Sequence, residues 1–266
     1  MKKLLFVCLL LIPSVLLLAV FDDYQPSAIA RGMGGAYTAV SKDANAIFFN
    51  PAGLINTTFS AKLSFSQLYN QDFSELKTVA LGYKLPKNLG TVAIGARAMD
   101  VDFEDVNLMS EQVYSLAHSF ILLEDIHSRI SFGYTGNLYL LSMDGEDDDT
   151  ALGIDLGALA VLHSRTHIAF AVTNINKATM GDENQIDLPS KLALGIAYVP
   201  YEKVTTSIEV KKDFAKETEF MGGVEAHLLE PLAIRFGVHQ NPATYNAGLS
   251  IYIQNLELDY SFTYHS

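Results

Sequence analysis

The feature that most constrains this chain is a two-residue alternation of apolar and polar side chains that recurs from about residue 58 onward. In residues 191–198, for example, four large apolar residues alternate with Lys, Ala, Gly and Ala. Successive side chains of a β-strand point to opposite faces, whereas an amphipathic helix repeats every three to four residues. The pattern therefore predicts two-faced strands along most of the chain.

The alternating segments number thirteen. Their predicted bounds are 58–69, 75–85, 90–101, 111–121, 128–142, 150–162, 166–175, 190–199, 203–213, 218–228, 231–239, 244–253 and 255–265. Most have about ten residues, which is the length of a tilted membrane-spanning strand, and soluble strands are usually about 5 or 6 residues long.

The connections between these strands are predicted to alternate in length. Short turns are expected at 86–89, 163–165, 200–202, 229–230 and 254, and longer loops at 102–110, 143–149, 176–189, 214–217 and 240–243. Short turns at one end and long loops at the other are typical of bacterial outer-membrane barrels.

The composition of the polar face favours a membrane barrel over a soluble protein. Charged residues make up only 18% of the 266 residues, and Gly, Ala, Ser and Thr dominate the positions where a water-facing surface would carry Lys and Glu. We therefore predict an all-β fold, an antiparallel transmembrane β-barrel of about 13–14 strands with a short N-terminal plug. A soluble exported barrel or sandwich is the alternative, since the same alternation serves both.

The first residues predict export. Lys2 and Lys3 precede an apolar run at 4–18, and Ala19 is a small residue at a plausible cleavage point. This is the pattern of a secretory signal peptide, and the run is shorter than the roughly 20 residues that a membrane-spanning helix needs. The predicted organisation is a signal peptide at 1–19, a hatch or plug at 20–57 and a barrel at 58–266, with outer-membrane lipid around the barrel.

Several other functions are disfavoured by composition and motifs. The formal net charge is −12 and Cys8 is the one cysteine, which argues against nucleic-acid binding and against thiolate metal sites. His163 and His167 have four-residue spacing but flank a predicted turn, so a metal pair is not expected. No nucleophile elbow or metalloprotease motif is present, and we predict no enzymatic activity, no cofactor and no metal.

The segment before the first strand is the candidate plug, because a barrel of about fourteen strands is too wide for its own side chains to fill. Its glycines allow close backbone approach, Asp43 is expected to cap a short helical turn, and Asn50-Pro51 should interrupt helix. The plug motif residues are Arg31, Gly32, Met33, Gly34, Gly35, Asp43, Ala44, Asn45, Asn50, Pro51 and Gly53.

Charged residues on the polar face of the strands are the candidates to face the lumen. They are Arg97, Arg129, Asp155, Lys191, Glu209, Glu225, Arg235, Glu257 and Asp259. We expect Arg31 of the plug to pair with one of the wall carboxylates, Asp155, Glu225, Glu257 or Asp259.

Residues 30–54 resemble the start of the PorV/PorQ family, relatives of the FadL-type outer-membrane barrels. The resemblance is carried by 31–36 (Arg-Gly-Met-Gly-Gly-Ala), 43–46 (Asp-Ala-Asn-Ala) and 50–54 (Asn-Pro-Ala-Gly-Leu). It implies a fourteen-stranded barrel with an N-terminal plug. It also implies a non-enzymatic role in type IX secretion or assembly, through secretion-system proteins or exported cargo, or a FadL-like passage of hydrophobic small molecules.

Two features stay open at this stage. Barrels of a single chain normally have an even number of strands, so a count of thirteen means that a final strand is missing from the sequence, that one was overlooked, or that the barrel is not closed. The acidic segments at 100–105 and 144–149 are interpreted as solvated loops, with cations bridging them to lipopolysaccharide as a weaker hypothesis.

For a transporter, a greasy pocket beside Phe48 and Phe49 is expected.

Overall fold

β-strands account for most of the structure. The computed structural model describes residues 21, 24–68, 74–103, 106–145, 147–181 and 185–265, so the predicted signal peptide at 1–19 lies outside the described residues. Thirteen long strands and two short ones follow an N-terminal segment. The strands are β1 (Phe59–Gln67), β2 (Ser74–Lys84), β3 (Thr91–Phe103), β4 (Val106–Glu124), β5 (Ser128–Met143), β6 (Asp149–Leu162), β7 (Thr166–Thr173), β8 (Thr179–Met180), β9 (Ile186–Asp187), β10 (Lys191–Tyr201), β11 (Val204–Asp213), β12 (Thr218–Leu229), β13 (Leu232–Gln240), β14 (Thr244–Ile253) and β15 (Leu256–His265).

The thirteen long strands form one antiparallel sheet in which neighbours in sequence are neighbours in space, with β7 paired to β10 across the β8–β9 excursion. The sequence prediction of an antiparallel sheet of thirteen long strands is confirmed. The short β8–β9 hairpin was not predicted, because two-residue strands are too short to show alternation.

One predicted loop is wrong. Residues 102–103 and 106–110 continue the β3–β4 ladder, in which Asp102 pairs with Asn107 and Phe103 with Val106. The acidic residues Asp100 and Asp102 therefore belong to strand β3, and they accept hydrogen bonds from Ser110 (2.9 Å) and Asn107 (2.9 Å). Charged side chains made this part of the ladder look like a loop.

The N-terminal segment forms three short helical pieces. These are α1 (Ala28–Gly32) and two 3₁₀ helices, η1 (Ala44–Phe48) and η2 (Pro51–Asn56). Each begins with a side-chain cap on a backbone N–H: Ser27 caps α1, Asp43 caps η1 and Asn50 caps η2, with Pro51 at the first position. The predicted capping role of Asp43 is confirmed, and such caps stabilise helices too short to persist alone.

The sheet wraps around this N-terminal segment, which we call the plug (residues 24–57). Every one of the thirteen long strands contacts plug residues, from β1, where Ser60 Oγ accepts the Ala44 N–H at 3.2 Å, to β15, which packs on α1. A sheet whose first, middle and last strands touch one small segment has to curl into a barrel. Among the described residues, no backbone ladder joins β1 to β15.

The apolar face of the sheet points away from the plug. In β10, Leu194 and Ile196 are 52% and 48% exposed, whereas Ala193 and Ala197 on the other face are buried. The prediction that large apolar side chains face outward and small residues face the lumen is confirmed. Within the described part of the chain, no helix is long and apolar enough to span a membrane.

The wall of the barrel is uneven in height. β4 has 19 residues and β5 has 16, whereas β13 on the far side has 9. We call the end with connections at 125–127, 163–165 and 254–255 the short-turn end, and the end that carries residues 174–190 the long-loop end. The tall strands therefore extend the wall at the long-loop end.

Candidate functional site

The plug rests directly on glycines of the wall. A methyl group added at Gly237 (β13) would lie 2.7 Å from the Cα of Gly34, and one at Gly223 (β12) would lie 2.9 Å from the Cα of Met33. Cβ atoms do not approach backbone this closely, so only glycine fits at these positions. Eight strands contribute a glycine at which an added Cβ would lie within 4 Å of plug atoms, and we call the set the glycine belt: Gly82, Gly95, Gly133, Gly157, Gly195, Gly223, Gly237 and Gly248.

A glycine of the plug, Gly34, also occupies a position that has no room for a side chain. Gly34 has φ +66°, and a Cβ there would meet the backbone nitrogen of Val238 at 2.6 Å. This residue combines a left-handed conformation with close approach to the wall, so the Gly-Met-Gly-Gly run at 32–35 is explained by docking rather than by phosphate binding.

Polar contacts fix the plug at its other end. Asn50 is fully buried; its side-chain amide donates to the carbonyl of Thr38 (3.1 Å) and to that of Ala158 on β6 (3.2 Å). On the opposite wall, Glu209 of β11 accepts the backbone N–H and the hydroxyl of Thr38, both at 2.8 Å. Buried polar groups with partners of this kind define one orientation of the plug within the lumen.

The remaining plug motif residues lie inside the barrel as well. Met33, Ala44, Pro51 and Gly53 are buried, and Asn45 is 4% exposed. Arg31 does not pair with Asp155, Glu225, Glu257 or Asp259, so that expectation is wrong. Its guanidinium instead donates to the backbone carbonyl of Gln25 at 2.8 Å, and burial lowers the pKa of Arg31.

A different cation joins plug and wall. Lys62 of β1 was not singled out from the sequence, although it alternates with outward-facing Ala61 and Leu63. Its ammonium forms ion pairs with Glu257, with Asp259 at 3.3 Å and with the plug residue Asp43 at 3.5 Å. We call this set the seam cluster, because it spans β1 and β15, between which the described part of the chain shows no ladder.

Burial raises the pKa of the Asp43 carboxyl, and the nearby Lys62 ammonium opposes this shift. A second buried pair extends the seam cluster along the wall: Arg235 Nε donates to Glu225 at 2.6 Å, and Arg235 Nη1 lies 3.9 Å from Asp259. Charges of opposite sign therefore alternate around this side of the lumen, which offsets part of the cost of burying each one.

The other predicted lumen charges occupy the plug-facing side of the wall. Asp155 accepts from the Asn137 amide (2.7 Å) and the Asn174 N–H (2.8 Å), Arg129 donates to Asn56 of the plug, and Lys191 is 8% exposed. Arg97 lies two positions from Gly95 on the same face of β3. Several buried lumen charges were not predicted, namely Glu111, Lys211 and Asp213.

The lumen differs on the two sides of the plug. At the short-turn end a cavity of about 1250 Å³ is bounded by plug residues Ile29, Met33 and Tyr37, by the turn at 125–129 and by the start of β1. Its wall mixes apolar side chains with polar and charged ones, and it reaches the seam cluster through Lys62 and Glu257.

At the long-loop end the lumen contains an apolar cluster. Val113, Tyr139, Leu141 and Ala151 project from β4, β5 and β6, and Met180 and Leu188 of the 174–190 loop cover them. We call this set, together with Phe21, Met109 and Met143, the methionine cluster. The Phe21 ring packs edge-on against Tyr139 with centroids 5.1 Å apart, and Asn174 anchors the covering loop by donating to the Leu188 carbonyl at 3.1 Å.

Phe48 and Phe49, beside which a greasy pocket is expected for a transporter, are both packed against neighbouring residues. Phe48 packs where Gly95 leaves room, and Phe49 packs edge-on against Tyr37 with centroids 5.0 Å apart. Neither residue lines the cavity at the short-turn end. Both side chains fill the contact between plug and wall, and a separate buried apolar cluster of the lumen is the methionine cluster.

The histidines and acidic segments form no metal centre in the described part of the chain, where no group of three or more His, Cys, Asp or Glu side chains could hold an ion. His167 Nδ1 lies 3.1 Å from the Ala39 carbonyl of the plug, whereas the His163 ring stacks on His127 at the short-turn end. The two are thus not a pair. Of the calcium-loop candidates, residues 104–105 and 146 lie outside the described residues.

No family model matches the sequence, and a search of curated proteins also gives no match. Solved structures do match. The monoaromatic hydrocarbon channel CymD superposes with a TM-score of 0.64 at 13% identity, over 89% of this chain and 91% of its own. A deltaS2 mutant of the monoaromatic hydrocarbon channel TodX gives 0.63 at 10% identity, over 92% and 94%. A Pseudomonas aeruginosa FadL homologue gives 0.55 at 10% identity, over 90% of each chain.

At these identities the likeness establishes the fold. The chain has the fold of the FadL-type outer-membrane proteins, an antiparallel transmembrane β-barrel with a short N-terminal plug. The superpositions cover the chain almost from end to end.

Proposed function

We propose that this chain is an outer-membrane channel that admits small hydrophobic molecules. The methionine cluster is the observation that carries the proposal. It is an apolar site inside the lumen of a barrel whose wall is otherwise polar on that side, and it lies at the mouth formed by the long-loop end. In outer-membrane barrels the longer loops face outward, so the cluster would meet a molecule arriving from outside.

The chemistry of the methionine cluster suits such molecules. Three methionines, one tyrosine and aliphatic side chains offer polarisable, adaptable surface and few hydrogen-bonding groups, which favours apolar or aromatic ligands over sugars or ions. Structural neighbours are described as monoaromatic hydrocarbon channels, and this supports the same substrate class here. The proposal includes export by the segment at 1–19, residence in the bacterial outer membrane, and no enzymatic activity.

The second role implied by the PorV/PorQ resemblance is secretion or assembly through protein partners. No described surface of the barrel favours it, and the exposed apolar side chains are accounted for by lipid around the wall. The 25-residue resemblance at 30–54 coincides with the part that docks on the glycine belt, so a shared plug structure explains it without a shared task.

The proposal is tested in cells that express the protein, with a small hydrophobic fluorescent probe that an intact outer membrane excludes. Expression should raise probe uptake. Leu141→Glu, which places a carboxylate in the methionine cluster, should return uptake to the level without the protein. Leu141→Met keeps the site apolar and should preserve uptake.

Two controls make the result specific. Uptake of a polar chromogenic antibiotic should not change with expression, which separates a hydrophobic route from a general leak. Heat-modifiable migration on gels should show that both Leu141 variants form folded barrels. Equal probe uptake with and without the wild-type protein would refute the proposal.

A further inference from the structure

The cavity at the short-turn end contains basic side chains that the hydrophobic route does not use. Arg129 of β5, His167 of β7 and Lys42 of the plug all line it, and we call these three residues the basic cluster. Arg129 and His167 pair with Val161 of β6 from its two sides, so these residues form one row on the wall. Neighbouring strands are about 4.8 Å apart, which places the Cα atoms of Arg129 and His167 roughly 10 Å from each other.

The plug brings the third basic group to this row. Arg129 donates to the side chain of Asn56, and the next plug residue, Thr57, donates its hydroxyl to the Lys42 carbonyl at 3.2 Å. The His167 ring rests on the plug as well, with its Nδ1 3.1 Å from the backbone carbonyl three residues before Lys42. Among the described residues, the charged groups that act on this ring are the cations Arg129 and Lys42.

Hydrogen-bonding atoms of the basic cluster lack partners in the described part of the chain. Arg129 Nε is buried and makes no hydrogen bond there. A backbone carbonyl can only accept, so His167 Nδ1 carries a proton and Nε2 of the neutral ring remains as an acceptor. A buried N–H group without an acceptor costs free energy, which favours a ligand that supplies one.

The carboxylates around the same cavity are held by other groups. Glu225, on which the Lys42 charge also acts, is bonded to Arg235 at 2.6 Å. Asp125 accepts hydrogen bonds within its own turn. Glu124 stands opposite the arginine of the basic cluster in the β4–β5 ladder, but it is exposed, and these two described side chains form no ion pair. The basic cluster is therefore a place for an external anion.

We propose that the basic cluster binds the phosphate group of a small solute. Such a group carries about −1.5 to −2 charges near neutral pH, which matches the two cations. Its oxygens accept from Arg129 and Lys42, and in the hydrogen phosphate form its hydroxyl donates to His167 Nε2. A carboxylate has one charge and no hydroxyl to donate. The cavity of about 1250 Å³ leaves room for an apolar substituent beside Ile29 and Met33.

The proposal does not depend on the hydrophobic route, and purified protein in a neutral detergent tests it. Isothermal titration calorimetry gives the dissociation constants of inorganic phosphate, phenyl phosphate and benzoate. At least one of the two phosphates should bind about tenfold more tightly than benzoate, the factor expected from an additional charge-assisted hydrogen bond. The tighter of the two phosphates identifies free phosphate or a phosphate ester as the source of the group.

Substitutions in the basic cluster should weaken this binding. Arg129→Gln should weaken it about tenfold. Lys42→Gln changes an exposed side chain that the fold does not need, and it should weaken binding about threefold, as expected for an exposed charge. The matched control is Arg165→Gln, on an exposed turn at the same end, which should bind phosphate like the wild type. Glu124→Gln removes a nearby negative charge and should bind no more weakly than the wild type.

No measurable phosphate binding, or benzoate binding as tight as both phosphates, would overturn the proposal. So would unchanged phosphate binding in both Lys42→Gln and Arg129→Gln, with heat-modifiable migration showing that each variant is folded. These results leave probe uptake through the methionine cluster untouched, and loss of probe uptake leaves phosphate binding untouched, so the two proposals fail separately.

Discussion

A single methyl group on the glycine belt should displace the plug. Gly237→Ala would place a Cβ 2.7 Å from the Cα of Gly34, and closer still to the Gly34 nitrogen. The atoms it meets belong to backbone on both sides, since Gly34 is tied to the wall beside Val238. A flexible side chain cannot turn away here, so either the plug or strand β13 has to move.

The size of the effect follows from the geometry. An ordinary contact begins at 3.4 Å, so the Gly34 Cα would have to retreat by 3.4 − 2.7 = 0.7 Å, and the nearer Gly34 nitrogen by more. Overpacking of this kind costs about 1–3 kcal/mol. Replacing Gly by Ala also reduces the entropy of the unfolded chain, which offsets about 0.4–1 kcal/mol. A net loss of about 1–2 kcal/mol is expected, with the plug loosened.

Gly136→Ala is the matched control, because Gly136 is exposed on the outer face of β5 and a Cβ there has no atom within 4 Å. Thermal unfolding in detergent should show a lower midpoint for Gly237→Ala and no fall for Gly136→Ala. Planar-bilayer recordings should show conductance events in the first variant that the control lacks. Matching unfolding midpoints and conductance in the two variants would refute the docking argument.

Three further outcomes are expected. Lys62→Met leaves the carboxylates of the seam cluster without their cation and should lower the free energy of unfolding in urea by about 3 kcal/mol. The control Lys77→Met removes a half-exposed ion pair on the outer face and should lower it by less than about 1 kcal/mol. Equal losses in the two variants would contradict the role of the seam cluster. The Asp125 carboxylate accepts the His127 backbone N–H, and this hydrogen bond lowers the pKa of Asp125 in the folded protein. The bond therefore stabilises the turn above the unfolded-state pKa and is lost as the pH falls through the lower folded-state pKa. Amide exchange at His127 should lose its protection only at that acid step, and protection that does not change with pH would contradict the role of Asp125. Phe21→Ala empties part of the methionine cluster and should raise uptake of the hydrophobic probe, and a fall in uptake would show that Phe21 does not compete for the site.

The sheet could be predicted from the sequence because its information is local. Alternation fixes which residues share a face, and turn residues mark the ends, so β5 was predicted at 128–142 and is observed at Ser128–Met143. The error at 102–110 has a physical cause. β3 and β4 extend into a segment rich in acidic residues, where Asp102 pairs with Asn107 beyond a register shift at residues 101–102, and this composition is typical of a loop.

The interior was less predictable, because it depends on contacts between residues far apart in sequence. The small residues of the polar face indicated that something fills the lumen, but they did not show which glycine meets which plug residue. Arg31 illustrates the limit. A plug arginine and four wall carboxylates suggested an ion pair, yet in the structure Asp259 and Glu257 take the cation of Lys62, a strand residue.

Lys62 connects the plug to both strands of the seam, because its ammonium contacts residues of the plug and of β15. Backbone groups on unpaired edges are expensive in lipid, and among the described residues no ladder joins β1 to β15, so side-chain contacts between these two strands add cohesion. Lys62 provides it by contacting β15 and Asp43 together. Displacing the plug should therefore also weaken the seam, and the cost of Gly237→Ala and Lys62→Met combined should be smaller than the sum of their separate costs. Strict additivity in a double-mutant cycle would show that plug and seam are held independently.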